Sequence, residues 1–245
     1  MSNYKLIALD MDGTFLMEDK TVSDENRKAV KAASEAGVTV MFATGRGIPN
    51  VLPYVEDLKL RSPIVAVNGS EVWSAPGELH SRTMFNPELI IQMRDIALKY
   101  DTWYWAYSVN GLFNKDRWTE KVWDEQWLKF GYYYEDEPVL NAIREKMIEW
   151  GEMEVTNSHP CNIELNPKGI SKASGLRQVC GMLGIEMSQV IAMGDSLNDI
   201  SMIREAGLGV AMGNAQDAVK SEADVVTVSN EEHGVAKIIE QYILS

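Results

Sequence analysis

Residues 4–16 read YKLIALDMDGTFL, and the order of residue types in this stretch decides how the chain folds. Tyr4 to Leu9 is a short, nearly unbroken apolar run, the pattern of a strand buried on both faces of a parallel sheet. It ends in two carboxylates, Asp10 and Asp12, and Gly13 then permits an immediate turn. Residues two apart at such a strand end can reach one centre. Open α/β sheets bind ligands beyond the carboxyl ends of their strands, so this strand predicts a fold class and the position of a site together. An Asp-Gly pair can also serve turn geometry alone, and the rest of the chain has to decide between the two.

Outward from this strand the same grammar repeats. Ser23, followed by Asp24 and Glu25, predicts a helix start, and Gly37 its end. Val38 to Ala43 predicts a second strand that runs into Thr44-Gly45-Arg46, with Pro49 suited to the next helix's first turn. Ile64 to Val67 predicts a third strand, closed by the turn signal Asn68-Gly69. Late in the chain, helices are expected at 171–183, 198–206, 215–222 and 231–242, and strands at 190–193, 208–212 and 225–228. Such alternation predicts right-handed crossovers and an α/β fold with a doubly wound, mostly parallel sheet.

Between about Met84 and Asn166 the texture changes. Helices are expected from Asn86-Pro87 through Leu98, over Asp116 to Lys129 and over Pro138 to Trp150. Trp103 to Val109 reads as a strand, and Glu152 to Asn157 with Asn162 to Leu165 as an antiparallel pair. Aromatic residues concentrate here. The chain therefore divides into a discontinuous core domain, 1–83 and 167–245, and an inserted α+β domain, 84–166. Alternation along Trp103-Tyr104-Trp105-Ala106-Tyr107 predicts that one set of side chains points away from the inserted domain's core.

Composition excludes several function classes. The 245 residues carry a formal charge of −13 with no Lys/Arg-rich run, which disfavours nucleic acid as a partner. The apolar N-terminal stretch is too short for a signal peptide and no run is long enough to span a membrane, so a cytoplasmic location without a membrane partner is expected. Cys161 and Cys180, like His80, His159 and His233, are too scattered for a disulfide framework or zinc site.

At the predicted sheet edge meet Asp10 and Asp12, Thr44-Gly45-Arg46, and Gly194-Asp195-Ser196-Leu197-Asn198-Asp199. So many carboxylates in one place call for a hard cation, and oxygen ligands suit Mg²⁺. One carboxylate of the first cluster can act as a nucleophile while the other handles protons. The Thr44 hydroxyl and nearby amides can hold a phosphate at a helix start. Taken alone, each cluster has a plainer reading as a turn or cap, and Lys172 alone reads as a solvated charge.

Together, DMDGTFL, TGR, a lysine opening the third motif and GDSLND resemble the haloacid dehalogenase superfamily in sequence order. PKGISKASGL, GVAMGNA and ADVVT with SNEEHGVA resemble its Cof-like branch, whose cap is inserted between the second and third motifs. The resemblance implies a phosphatase that forms an aspartyl phosphate on Asp10, with Asp12 as acid and then base. It implies that Thr44, Gly45, Arg46 and Asn198 meet a small phosphorylated metabolite. Lys172, rather than Lys168, would orient Asp10 and offset phosphate charge. Asp10, the Asp12 main-chain carbonyl and Asp195 would bind Mg²⁺, with Asp199 supporting that shell. A phosphomutase using the same intermediate and a phospho-accepting receiver module are the alternatives; the branch admits sugar phosphates, phosphorylated cofactors and a riboflavin precursor as substrates.

Overall fold

The structure, a computed structural model, describes residues 3–245. From β1 (Leu6–Leu9) the chain runs through α1 (Asp24–Glu35) to β2 (Thr39–Ala43), and through α2 (Leu52–Asp57) to β3 (Ile64–Ala66). A hairpin of β4 (Glu71–Ala75) and β5 (Glu78–Arg82) follows. Then come α3 (Pro87–Lys99), β6 (Trp103–Ser108), β7 (Gly111–Asn114), β8 (Trp127–Tyr133), α4 (Glu137–Trp150), β9 (Met153–Thr156) and β10 (Asn162–Pro167). The last part comprises α5 (Lys172–Leu183), β11 (Val190–Gly194), α6 (Ile200–Glu205), β12 (Leu208–Ala211), α7 (Asp217–Lys220), β13 (Val225–Val226) and α8 (Gly234–Tyr242).

Two sheets result. The larger has the order β13-β12-β11-β1-β2-β3-β4-β5, parallel except for the antiparallel β4–β5 edge. The smaller, β7-β6-β8-β10-β9, is wholly antiparallel and is drawn from residues 103–167. The α/β class with a mostly parallel sheet and a separate α+β unit is as the sequence predicts.

In the large sheet β1 is central and fully buried because both faces are covered. Ile7 and Leu9 pack with Ala29, Val30 and Ala33 of α1 and with Val235, Ile238 and Ile239 of α8. Leu6 and Ala8 face the other way, onto Ala173, Leu176 and Val179 of α5. Each such large apolar side chain contributes roughly 1.5–3 kcal/mol on burial, so a charge at Ile7 or Leu6 would break the central strand. Ser23 caps α1, its hydroxyl accepting from the Asn26 amide.

The second core lies on one face of the small sheet. Tyr104, Ala106, Phe130, Tyr132, Ile163 and Leu165 pack there against Ile90 and Met93 of α3 and Leu140, Ile143 and Met147 of α4.

Two expectations need correction. The helix expected over Asp116 to Lys129 is an irregular loop with one 3₁₀ turn, Val122–Asp124, leading into β8. The spacing of Trp118, Val122 and Trp127 imitates a helix. Tertiary packing overrides it: the Trp118 and Trp127 rings stack at 5.6 Å, and Trp127 Nε1 donates to the Val122 carbonyl at 2.8 Å. The β4–β5 hairpin was not anticipated. The late helices are shorter than expected, with 3₁₀ turns at 197–199 and 230–232 where longer helices were predicted. No helix is long and apolar enough to cross a membrane among the described residues.

Candidate active site

The carboxyl ends of β1 and β11 lie side by side, with Leu9 opposite Met193. Asp10 follows β1, its amide donating to the Met193 carbonyl at 3.0 Å. The loop after β11 carries Asp195, Asn198 and Asp199. Two glycines let these segments approach. A Cβ on Gly13 would lie 2.5 Å from Asp195 Oδ2, and its φ of +79° is one that L residues rarely adopt. A Cβ on Gly194 would meet Asp199 Cβ at 2.3 Å. Both acidic motifs therefore need glycine at those positions.

Asp10, Asp195 and Asp199 offer carboxylate oxygens all within 4.8 Å of one another. Lys172, at the start of α5, is fully buried and donates to Asp10 Oδ1 and Asp199 Oδ1, each at 2.6 Å. Asp199 Oδ2 accepts the Asp195 and Ser196 amides at 3.0 Å each. Both Asp199 oxygens are thus committed to protein donors. Lys172 engages only one oxygen of Asp10, while Asp195 accepts from Thr14 and Ser196 hydroxyls at 2.9 and 3.0 Å. Asp10 and Asp195 can still offer oxygens to a cation, with Asp199 fixed behind them.

The electrostatics agree. Burial pushes the Asp10 carboxyl well above its ordinary range, reinforced by Asp199 and Asp195 and opposed by Lys172. Burial, then the Asp199 charge, pushes Asp195 up to about 6. Burial alone would lower the Lys172 ammonium, but Asp10 and Asp199 outweigh it and raise it. Three carboxylates against one ammonium leave negative charge uncompensated, and an all-oxygen donor set of this kind fits a hard divalent cation.

Asp12 stands apart from that cluster. Arg46 grips its carboxylate with two bonds, Nε to Oδ2 at 2.6 Å and Nη2 to Oδ1 at 2.7 Å, and Lys20 Nζ adds one at 2.8 Å. Burial would raise this carboxyl, but the hydrogen bonds and charges of Arg46 and Lys20 prevail and hold it at about 2. Any cation contact from Asp12 would come from its main chain. Thr44 is buried, and its hydroxyl accepts the Arg46 amide at 3.2 Å, leaving its own proton to donate. The loop after β3 holds this turn in place: Val67 N–H donates to the Arg46 carbonyl and Asn68 N–H to the Thr44 carbonyl, both at 2.9 Å. Val67 and Asn68 have φ of 50° and 55°, a strained conformation for a β-branched residue that costs on the order of 1–3 kcal/mol.

Asp10, Asp12, Thr44, Gly45, Arg46 and Asn198 line one cavity of about 290 Å³, with Lys172 behind Asp10. The profile of the haloacid dehalogenase-like hydrolases matches residues 7–126 and 114–239. The chain belongs to this family.

Its relatives agree. A 5-amino-6-(5-phospho-D-ribitylamino)uracil phosphatase of Bacillus subtilis is 47% identical over 240 residues, 98% of this chain and 96% of that protein. A pyridoxal phosphate phosphatase of Escherichia coli is 27% identical, covering 98% of this chain and 99% of that one. A solved haloacid dehalogenase-like hydrolase from B. subtilis superposes with a TM-score of 0.89 at 25% identity, covering 98% of this chain and all of the other. This haloacid dehalogenase-like protein is an enzyme, a phosphatase.

Sequence reasoning missed the polar side chains on the far wall of the phosphatase's cavity, Lys129, Ser158 and Glu164, and Lys20 beside them. Trp105, Tyr107, Lys129, Ser158 and Glu164 line that wall from the small sheet and its loop, and Lys20 from the segment after Asp12. Trp105 and Tyr107 belong to the alternate set expected to face away from the inserted domain's core, and the structure turns them into this cavity. Lys129 and Glu164 carried a signal that went unread: a lone charge inside an otherwise uncharged strand, WLKFGYY and NIELNP.

Proposed function

We propose that this chain is a Mg²⁺-dependent phosphomonoester hydrolase acting on a small phosphorylated metabolite through an aspartyl phosphate on Asp10. The observation that carries the reading is the pairing of Asp10 with buried Lys172 at the floor of a cavity that Asp12 and Thr44 also line. Lys172 fixes one carboxylate oxygen, so the carboxylate is oriented before substrate arrives. Asp10 attacks phosphorus in line and the ester P–O bond breaks. Asp12 gives its proton to the departing alcohol, then takes one from the water that attacks the same phosphorus and releases Asp10. For Asp12 to carry that proton, Arg46 and Lys20 must exchange its carboxylate for phosphate oxygens, which makes Arg46 a substrate-binding residue. Thr44, the Gly45 amide and Asn198 hold the remaining oxygens.

Asp10, the Asp12 main-chain carbonyl and Asp195 would hold Mg²⁺, with Asp199 supporting them, and the ion would supply charge neutralisation at the phosphoryl group. Residues 84–166 form the cap over a core of 1–83 and 167–245. The 47% identical relative supports 5-amino-6-(5-phospho-D-ribitylamino)uracil as the substrate.

Phosphate release across a panel of phosphometabolites with Mg²⁺ tests this, the ribityl compound giving the highest kcat/KM. Asp10→Asn should retain the circular dichroism of the folded protein and lose at least about 10⁴-fold in turnover, since an amide does not attack phosphorus. Turnover by that variant within tenfold of wild type would remove Asp10 as the nucleophile.

A further inference from the structure

Across three strands of the small sheet, Trp105 pairs with Gly131 and Gly131 with Glu164, while Tyr107 pairs with Lys129. This row lies on the face opposite the cap core. Trp105 lies over Gly131, whose Cβ, if present, would fall 2.3 Å from the indole, so any larger residue there would displace the ring. Lys129 and Glu164 are each under 5% exposed and form an ion pair at 3.1 Å. They are the only charged side chains that the small sheet contributes to the cavity lining.

Their hydrogen bonding is incomplete in a particular way. Lys129 Nζ donates to the Gly45 carbonyl at 2.9 Å and to Glu164 Oε1. Its third proton has no acceptor among these contacts. Glu164 accepts from Lys129, from the Ser158 hydroxyl at 2.8 Å and from Asn68 Nδ2 at 2.7 Å. A carboxylate offers about four acceptor positions, so one remains. The pair is neutral as a whole, so it recruits neither a second anionic group nor a cation. A spare donor beside a spare acceptor is the complement of a hydroxyl group, which accepts from one and donates to the other.

Distances also place the pair within the cavity. Lys129 touches Gly45 of the phosphate turn on one side and lies 5.3 Å from the Tyr107 ring centroid on the other. The Tyr107 ring itself reaches the turn, 3.4 Å from where a Cβ on Gly47 would stand, so ion pair and ring lie side by side over it, with Trp105 beyond them on the same strand.

We infer that Lys129 and Glu164 form a hydroxyl-recognition subsite, selecting phosphate esters of a neutral, polyhydroxylated chain and placing any flat ring at that chain's far end against Tyr107 and Trp105. The inference rests on the phosphomonoesterase reading above and names the leaving-group class for that site. Aryl or one-carbon-linked phosphate esters leave this pair unmatched.

The test compares kcat/KM for ribitol 5-phosphate and n-pentyl phosphate, equal in chain length and differing only in hydroxyls. Wild type is expected to favour ribitol 5-phosphate by at least about tenfold, because a buried charged partner left unmatched discriminates strongly. Glu164→Gln and Lys129→Gln should each bring that ratio toward one. A merely structural role would lower both rates together and leave the ratio unchanged, and that result overturns the inference. So does equal wild-type turnover of the two esters, which needs no variant to fold. Turnover of other phosphomonoesters with neither of these two cleaved also overturns it. Failure of the underlying reading looks different: no ester on the panel would release phosphate in a manner dependent on Asp10.

Discussion

The floor of the cavity draws Asp10 and Asp12, with Asp195 and Asp199 behind them, from the ends of two adjacent parallel strands, whereas its roof draws Trp105, Tyr107, Lys129 and Glu164 from three antiparallel ones. On the floor every group is tied to several others. Lys172 serves two carboxylates, two backbone amides fix Asp199, and two glycines are shaved to let side chains pass. On the roof, Trp105 and Tyr107 stand on a sheet face whose opposite side holds the core, so either can change with little effect on its neighbours' backbone, and only the Lys129–Glu164 pair is tied to the groups around it. The floor is cooperative and suits chemistry common to many esters. The aromatic part of the roof is modular and suits the choice among them.

That contrast is broken most severely at Lys172. Lys172→Met would leave Asp10 and Asp199 buried without their shared cation. Removing one partner of a buried ion pair costs roughly 3–5 kcal/mol, and activity should fall with Asp10 no longer oriented. Urea denaturation reports the first loss and phosphate release the second. A stability change under 1 kcal/mol would mean that the two carboxylates are not held in common.

A second test separates the cation from the lysine. Mg²⁺ at about 100 times its dissociation constant should stabilise wild type by about 2.7 kcal/mol, which for a protein of this size raises Tm by roughly 5–10 °C. Asp195→Asn should lose most of that shift while its fold survives, because Asp195 has hydroxyl partners but no salt bridge among the described residues. An undiminished shift would move the metal away from Asp195.

The same contrast governs what could be read from the sequence. Floor residues are contiguous in short motifs, DMDGTFL and GDSLND, because a turn at the end of a buried strand sets them, and both strand and turn have local signatures. Gly13 could be read as a turn residue, although its close approach to Asp195 depends on a strand 180 residues away and could not. Roof residues are set by cross-strand register, which places Trp105, Gly131 and Glu164 in one row from three distant segments. Nothing local encodes that row. The loop before β8 misled for a related reason, its tryptophan spacing reflecting stacking rather than helical period. Asn68 shows a third case: its sequence signals only a turn, whereas its left-handed conformation aims its amide at Glu164 and Asn166.

On the roof, smaller and substrate-dependent effects are expected. Trp105→Ala should lower kcat/KM for the ribityl ester about tenfold, since an aromatic contact adds about 0.5–1.5 kcal/mol beyond the area it buries. Its loss on ribitol 5-phosphate, which has no ring, should be several-fold smaller. Equal losses on the two esters would assign Trp105 to holding the sheet against Gly131 rather than to meeting a ring.

The smallest effect sharpens the comparison through pH. Burial alone would raise the Glu164 carboxyl, but the Lys129 charge and the hydrogen bonds from Asn68, Ser158 and Lys129 outweigh it and hold it below its ordinary 4.5. A carboxyl whose pKa is depressed by folding binds its proton more readily when unfolded. Its contribution to stability is therefore complete above about 4.5 and is lost as pH falls through the lower, folded value. Glu164→Gln keeps the shape and removes the titration. The difference in urea midpoint between wild type and Glu164→Gln should be constant from pH 7 to about 5 and shrink steadily below that. Subtracting the two proteins cancels the acid response of the floor, where Asp10 and Asp195 are shifted the other way. A difference that stayed flat to pH 3 would show that Glu164 titrates as it does in water, and that the roof's ion pair contributes nothing to the folded state.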